Sequence, residues 1–396
     1  MKILLVHNNY GNYATGGEKN VMLAESKLLK ENGHEVVVYE CTNDENVFNK
    51  KGHKLKSFYY STWNPFAYKK LRTLLKEHQP DIMHVHNYWY QLSPSIFKAA
   101  YDHNVPSVIT LHNYRLLCPG VLFLRNGKPC EDCMTKNPIR SIFFKCHSNS
   151  ILKSFLSYRL FRKTKKNDYY SKFITGYIAL TEFAKTKFIQ GGIKEYQLRV
   201  KPNFIPSKAI NPSDSVLDLP ENYALYVGRI SDEKGIESMC KVWEDIDYPL
   251  VVIGSGDAHL EDKLKANKKI IFLGKKNSSE VFSCLKSCSF LVFPSIWYEG
   301  FPLTIIEAFS MGKPVIAADL GARNEVVIHE ETGLLFDFKN MTDFKVNILR
   351  MIEDEALRNK MGINALRKFE NEYSENTNLN QLVSIYSYFI ESFNRK

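Results

Sequence analysis

Short, continuous apolar runs recur along this chain with helix-length segments between them, and no other feature restricts the fold as strongly. They stand at Lys2–His7, His34–Tyr39, Asp81–Val85, Pro106–Leu111 and Tyr177–Leu180. Runs without an alternating polar residue are buried on both faces, which is the signature of parallel strands covered by helices. After Lys201–Pro206 comes Asn211-Pro212-Ser213-Asp214-Ser215, polar and proline-marked, which reads as a linker. The pattern then restarts at Tyr223–Val227, Pro249–Ile253, Lys269–Leu273, Phe290–Phe293 and Pro314–Ala317. A chain of 396 residues has room for two domains of ~100–200 residues each. The prediction is therefore α/β: two Rossmann-like, doubly wound domains over 1–203 and 204–372, with 373–396 as a C-terminal helix packing back on the first. Ligands of such sheets bind beyond the carboxyl ends of the strands, so an interdomain cleft is the expected site.

Composition narrows the class. With 44% hydrophobic residues the chain is too apolar for disorder, and 20 Gly and 8 Cys exclude collagen and a dense disulfide scaffold. No stretch reaches the ~18 apolar residues of a membrane-spanning helix. The Met1–His7 start turns polar too early for a signal-peptide core, so a cytoplasmic location is expected. Residues 1–200 hold 30 Lys+Arg against 15 Asp+Glu, and 201–396 hold 23 against 28. The basic half suits an anionic partner, whether nucleic acid, membrane or phosphorylated substrate. Within it, 151–173 mixes Lys153, Arg159, Arg162, Lys163, Lys165, Lys166 and Lys172 with Phe155, Leu156, Tyr158, Leu160, Phe161, Tyr169 and Tyr170. That segment fits an amphipathic element lying on an anionic bilayer. It fits equally a surface helix with solvated lysines.

Three constellations carry chemistry at strand ends. Pro294–Ala308 follows the Ser289–Phe293 run; Pro302 suits a first helical turn, so Glu299 sits in the turn and Glu307 inside the helix. The N–H groups from Gly300 through Phe301, Pro302 and Leu303 to Thr304, proline excepted, would face an anion at the helix start. Two carboxylates flanking them can accept from sugar or ribose hydroxyls. Gly228–Gly235 contributes Arg229 and Lys234, a fork and a point charge suited to a diphosphate. Gly16 and Gly17 follow the first strand and let backbone approach a ligand, although Asn20 breaks the complete dinucleotide fingerprint.

Taken in order, Gly16-Gly17, the Gly-Arg…Glu-Lys-Gly run at 228–235, Glu299 and Glu307 with seven residues between them, and Gly-Lys-Pro-Val-Ile-Ala at 312–317 resemble glycosyltransferase family 4 over nearly the whole chain. The resemblance implies the GT-B fold and a retaining transferase using a nucleotide-sugar donor, UDP- or GDP-linked, without a catalytic metal. It implies that Glu299 holds donor-sugar hydroxyls and Glu307 the ribose, while Arg229, Lys234 and the 300–304 donors meet the diphosphate. It places Gly16 and Gly17 on the opposite wall and His112, after the Ser107–Leu111 strand, near the donor sugar. His84 and His86 also alternate at a strand end, but two histidines without a third ligand make a poor metal site.

An insertion over about 113–150 departs from the simplest family pattern. Its Cys118, Cys130, Cys133 and Cys146 follow Cys-x11-Cys-x2-Cys-x12-Cys, the arithmetic of a structural zinc site, with inert small core residues as the alternative. The expected function is transfer of a sugar to a glycan or lipid-linked acceptor in cell-surface polysaccharide synthesis (capsule, O-antigen or exopolysaccharide), at the inner face of a membrane. A GT-B epimerase or phosphorylase is the alternative enzyme. Nucleic-acid binding is disfavoured because the basic residues form no recognition pattern.

Overall fold

A computed structural model describes residues 1–9, 17–43, 59–166, 169–212 and 218–395. They group into two compact units: Met1–Phe123, Glu131–Pro202 and Asn378–Lys396 form one, and Leu124–Cys130 with Asn203–Thr377 the other. Residues 213–215 of the expected linker, and Gly16, lie outside the described residues.

In the first unit the strands are β1 (Lys2–Asn9), β2 (Glu35–Thr42), β3 (Ile82–Asn87), β4 (Ser107–Thr110), β7 (Gly176–Ala179) and β8 (Leu198–Val200). They form one sheet in the order β2-β1-β3-β4-β7-β8, every pairing parallel. Between β4 and β7 in sequence, β5 (Leu124–Arg125) and β6 (Lys128–Pro129) make a small antiparallel hairpin. The apolar runs occupy β1, β2, β3, β4 and β7; the side chains of β1, β3, β4 and β7 are buried, while those of the edge strand β2 are only partly so. Ile3, Leu5, Ile82, Val108 and Ile178 point to one face, where Met22 and Leu29 of the helix Gly17–Glu31 meet Leu382, Ile385, Tyr386 and Phe389 of the helix Glu375–Asn394. Chain-terminal residues thus complete the first unit's core. Phe389 lies so close to β7 that a Cβ on Gly176 would sit 2.2 Å from its ring, which only glycine avoids.

The second unit repeats the plan with β9 (Ala224–Val227), β10 (Leu250–Ile253), β11 (Ile270–Gly274), β12 (Phe290–Phe293), β13 (Val315–Ala318) and β14 (Gly333–Phe336). The order is β11-β10-β9-β12-β13-β14, again all parallel. Its two faces bury alternate residues: Ala224, Tyr226, Phe290 and Val292 on one, Tyr223, Leu225, Leu291 and Phe293 on the other. Period-two burial on both sides explains why the sequence shows unbroken apolar runs. The edge strands β8 and β14 escaped the sequence reading. Leu198-Arg199-Val200 is only three residues long, and Gly333-Leu334-Leu335-Phe336 opens on glycine with one apolar face half-exposed.

The basic segment needs one correction. Tyr158, Leu160 and Phe161, on the helix Ile151–Lys166, are buried, and Tyr169 and Tyr170 are tied inward by Pro94 O at 2.9 Å and Tyr88 Oη at 2.7 Å. These residues build core rather than an outer face. The exposed apolar side chains are instead Ile139, Phe143, Phe144, Ile151, Leu152 and Phe155, with Phe143 76% exposed.

Phe389→Ala should destabilise the protein by about 3–5 kcal/mol in urea unfolding. Gly176→Ala should destabilise on its own through its clash with the ring, and the pair should cost clearly less than the two single values together, because the new methyl enters the space the ring leaves. Strict additivity would mean that Gly176 and Phe389 do not touch.

Candidate functional site

In the second unit the chain leaves β9 toward β10 on one side while β12 pairs on the other, so the loops after β9 and β12 meet at a topological switch point. A backbone bond joins them: the Ile296 N–H donates to Glu233 O at 2.9 Å, and Ser295 Oγ lies 3.3 Å from the same oxygen. Gly235 makes this approach possible. Its φ is +72°, and a Cβ there would lie 2.1 Å from Pro294 O.

The loops carry the predicted Lys234 and Glu299 into direct contact. Lys234 Nζ donates to Glu299 Oε1 at 2.7 Å, joined on that oxygen by Ser295 Oγ at 2.7 Å and Trp297 Nε1 at 2.8 Å. Glu299 is buried. Burial by itself would raise its carboxyl, but the Lys234 ammonium, with help from Arg323 and Ser295, holds it below the ordinary range. Glu299 is therefore a fixed, ionised acceptor at neutral pH. The Lys234 ammonium also lies 5.5 Å from the Phe293 ring centroid and 5.6 Å from that of Trp297. Arg229 stands apart: its side chain is 67% exposed and pairs with Glu233 at 3.1 Å, so it is a solvent-facing cation of the loop rather than part of the buried pair.

The segment after Glu299 corrects one detail. The helix is Leu303–Ser310, and Pro302 is its N-cap rather than part of its first turn. Leu303 N–H is occupied by Phe301 O at 3.1 Å, and Ile305 N–H by Pro302 O at 3.0 Å. Among the described residues the N–H groups of Gly300, Phe301 and Thr304 have no partner, so these three are the donors left for an anion. Glu307 lies inside the helix, half-buried, and no described residue bonds its carboxyl. Burial pushes that carboxyl up to about 7.

In the first unit Gly17 is the exposed first residue of the helix Gly17–Glu31. His112 follows β4 and is stacked on His86, with His86 Nδ1 and His112 Nε2 3.0 Å apart. Beneath them sits an ion pair that sequence reasoning missed: Lys201 Nζ and Glu25 Oε1 at 2.8 Å, both side chains fully buried. Arg323 was missed as well. Its guanidinium is buried in the second unit, with Nε donating to Ala318 O at 2.7 Å and Nη1 to Trp297 O at 3.1 Å. Nothing local distinguishes these three charged residues from solvated ones.

Among the described residues one group of three metal-type ligands converges, Glu25, His84 and His86, with ligand atoms within 4.8 Å of one another. The Lys201 ammonium already occupies the Glu25 carboxylate, and both His84 nitrogens are engaged, Nδ1 with Tyr386 Oη and Nε2 with Thr110 Oγ1, each at 2.7 Å. The group is a hydrogen-bonded ion pair rather than a cation site. Cys118, Cys130, Cys133 and Cys146 form no disulfide and, among the described residues, no three of them converge in this way. Cys118 is nevertheless special. A hydrogen bond from Cys133, and backbone N–H groups of Phe123, Gly120 and Val121, outweigh burial and bring its thiol down to about 7. Cys146 packs beside the same turn, its Cβ 2.9 Å from where a Gly120 Cβ would be.

Glu307 makes a pH-dependent contribution to stability. Its folded pKa of about 7 exceeds the ordinary 4.5, so between those values the folded form holds a proton that the unfolded chain has lost, and stability falls as pH rises through that window. Above it the cost is fully present, about 1–3 kcal/mol. Glu307→Gln should therefore raise the Tm of the nucleotide-free protein by roughly 2–8 °C at pH 8 and leave it unchanged near the ordinary carboxylate pKa. Equal shifts at both pH values would mean the carboxyl is not raised.

Residues 15–208 match the family model described as Glycosyltransferase Family 4, and residues 207–368 the model described as Glycosyl transferases group 1. An uncharacterized glycosyltransferase of Methanocaldococcus jannaschii is 26% identical over 416 residues, covering 100% of both chains. A second from that organism is 36% identical over 157 residues, 39% of this chain and 44% of its own length. The capsular polysaccharide biosynthesis glycosyltransferase CapM of Staphylococcus aureus is 27% identical over 240 residues, 55% of this chain and 62% of CapM. This chain thus matches less than two thirds of the length of the latter two. Among solved structures, Anabaena HepE in complex with UDP aligns with a TM-score of 0.69 at 18% identity, over 98% of this chain and 100% of HepE. Sucrose-phosphate synthase from Thermosynechococcus elongatus aligns with a TM-score of 0.70 at 18% identity, over 99% and 100%. At such identities these two speak for the fold alone. Two all-parallel α/β sheets, these structural neighbours and two family models that tile residues 15–368 give one conclusion: the chain belongs to glycosyltransferase family 4 and is a glycosyltransferase of the GT-B fold.

Proposed function

We propose that the protein is a retaining, metal-independent glycosyltransferase that moves a sugar from a nucleoside-diphosphate sugar to a glycan or lipid-linked acceptor in cell-surface polysaccharide synthesis. The observation that carries this reading is the buried Lys234–Glu299 pair beside the unpartnered N–H groups of Gly300, Phe301 and Thr304. It offers an ionised acceptor for sugar hydroxyls next to cationic and dipolar donors for a leaving phosphate, the two needs of glycosyl transfer from a nucleotide. Glu307 is the ribose ligand in this reading. Its proton leaves when the ribose hydroxyls supply the hydrogen bonds that burial withholds. Because Glu299 is spoken for on Oε1 by three donors, it positions rather than attacks. The acceptor oxygen bonds to the anomeric carbon as the carbon–oxygen bond to phosphate breaks; the electron pair goes to the phosphate, which takes the acceptor's proton. Lys234, Arg229 and the helix start supply the counter-charge, so no divalent cation is needed.

The names of relatives favour the substrate class. HepE of Anabaena is described with UDP and glucose, an Escherichia coli relative is named as a UDP-Gal:alpha-D-GlcNAc-diphosphoundecaprenol alpha-1,3-galactosyltransferase, and CapM as a capsular polysaccharide enzyme. These names lend weight to a uridine donor and a lipid-linked acceptor for this chain. Location at the inner face of a membrane belongs to the same proposal. No helix among the described residues is long and apolar enough to cross a bilayer, but Phe143, Phe144, Ile151, Leu152 and Phe155 are exposed next to Lys145 and Lys153. Apolar side chains ringed by cations fit an anionic bilayer surface. For the cysteine segment the proposal is a structural zinc that would draw Cys118, Cys130, Cys133 and Cys146 together on binding, favoured by their spacing and by the donors that stabilise a Cys118 thiolate.

The function is tested with a thermal-shift panel of UDP, GDP and ADP and their sugars, with EDTA and with magnesium. One uridine or guanosine nucleotide should stabilise the protein selectively and equally in both conditions. Glu307→Ala should abolish most of that shift, whereas Glu299→Gln should keep it and lower turnover by roughly 10²-fold. No shift with any nucleotide would end the transferase assignment of the site, and elemental analysis finding about one zinc per chain would support the cysteine site. A separate expectation concerns the membrane. Replacing Phe143 and Leu152 by Ser, or neutralising Lys163, Lys165 and Lys166, should reduce pelleting with anionic vesicles, and unchanged pelleting would return the segment to an ordinary surface.

A further inference from the structure

On the first sheet the apolar face of Ile3, Leu5, Ile82 and Val108 turns polar toward the carboxyl ends of the strands. With period two, His7 follows Leu5, His84 and His86 follow Ile82, and Thr110 and His112 follow Val108. The helix Gly17–Glu31 lays Glu25 over these rings, and Lys201, next after β8, reaches the same carboxylate. The result is a line of contacts: Lys201 Nζ to Glu25 Oε1 at 2.8 Å, Glu25 Oε2 to His86 Nε2 at 3.3 Å, and His86 Nδ1 to His112 Nε2 at 3.0 Å. His84 braces the line, its ring centroid 4.3 Å from that of His86 and its nitrogens held by Tyr386 and Thr110.

An uncompensated carboxylate would not stay ionised in such surroundings. Burial pushes the Glu25 carboxyl upward, and the Lys201 ammonium overrides this and holds it well below its ordinary range. Burial, then His86, keeps His112 well below the ordinary histidine value, so its ring is neutral and carries one proton. A buried ion pair is a poor device for stability alone, since well-packed apolar residues of the same size serve as well or better. Its geometry here has a second consequence. Glu25 Oε2 and His86 Nε2 are both buried and face each other at 3.3 Å, an ion-pair contact off the line of a hydrogen bond; the carboxylate charge favours the His86 proton on the facing Nε2, which leaves Nδ1 as an acceptor. The proton in the His86–His112 contact then belongs to His112 Nε2, and His112 Nδ1 is bare.

We infer that Glu25 and Lys201 are positioning residues that act through His86 to fix the His112 tautomer, so that His112 offers substrate a hydrogen-bond acceptor at Nδ1 rather than a donor. No described residue bonds that nitrogen, and Nδ1 would accept from a substrate hydroxyl. The inference rests on the proposed function and on the place that the family resemblance gives His112 near the donor sugar, and refines it: a neutral ring whose one N–H is committed to His86 has no second N–H for the sugar. Removing the carboxylate frees His86 to hold its proton on Nδ1, and His112 would then present a donor where an acceptor is required.

The test uses the full-length protein labelled with 15N in histidine, the His112 signals being assigned by their loss in His112→Gln. Wild type should show His112 Nδ1 bare and Nε2 protonated; Glu25→Leu/Lys201→Met, which removes both buried charges together, should show a mixture or the reverse. That double variant should lose roughly 10- to 100-fold in kcat with donor KM within about twofold. Made in a His112→Ala background it should cause no further loss, as coupled residues do. Glu25→Asp keeps the charge beside Lys201 but draws it away from His86, and should lower kcat with the fold intact if the double variant proves unstable. An unchanged tautomer, unchanged kcat or additive losses would overturn the inference. Wild-type kcat in His112→Ala would overturn His112's place at the substrate while the family function stands. A wild-type protein that turns over no nucleotide sugar would instead overturn the proposed function.

Discussion

A carboxylate taken out of water stays charged only beside a cation, and that constraint organises the polar chemistry in each unit. In the second, Glu299 is buried at the switch point because Lys234 reaches it from the neighbouring loop, and the pair needs both loops to be held together by the Ile296–Glu233 backbone bond and the close approach at Gly235. In the first, Glu25 is buried against His84 and His86 of β3 because Lys201 reaches it from just beyond β8. Each pair links segments distant in sequence, so each records the register of its sheet.

The two pairs differ in what surrounds them. Around Glu299 the neighbours are donors: an ammonium, a hydroxyl, an indole N–H and a guanidinium that contributes from behind Trp297 O. That surplus keeps the carboxylate ionised and suits it to holding neutral hydroxyls. Glu307 has the opposite setting, burial without a partner, and its carboxyl rises for that reason. Two glutamates eight positions apart thus reach opposite protonation behaviour through environment alone, one held ionised by its partners and one raised by burial without them. Around Glu25 the neighbours are imidazoles, whose single mobile proton makes orientation, rather than charge, the quantity the ion pair controls.

Much of the plan was legible in the chain. Ten apolar runs marked ten of the twelve strands of the two sheets; eight of these strands are inner ones, whose burial on both faces shows in their composition, and the other two, β2 and β11, are edge strands that carry apolar runs although only partly buried. The two missed, β8 and β14, are edge strands, short and half-covered, where pairing rather than composition makes the strand. The Glu299–Glu307 spacing and the Gly228–Gly235 run placed Lys234 and Glu299 in one site through resemblance, and the structure supplies their contact. Pro302 was misplaced by one step, since proline fits both a helix start and the residue before it. The aromatic residues of the helix Ile151–Lys166 looked amphipathic, yet Tyr158 and Phe161 turn inward and the exposed apolar set lies at its start and in the segment before it.

The sequence by itself determined the class of the fold, the tandem repetition of the sheet and the family, because apolar periodicity and short glycine and carboxylate spacings are local properties. Only the tertiary structure decided which of 53 cations are buried. Lys201 and Arg323 read like any solvated cation, and each acquires its place from partners contributed by other segments: Glu25, and the Ala318 and Trp297 carbonyls; Lys234, which its run had marked, is buried only because Glu299 reaches it from another loop. Burial is a property of the assembled chain, and so are the proton positions that burial sets.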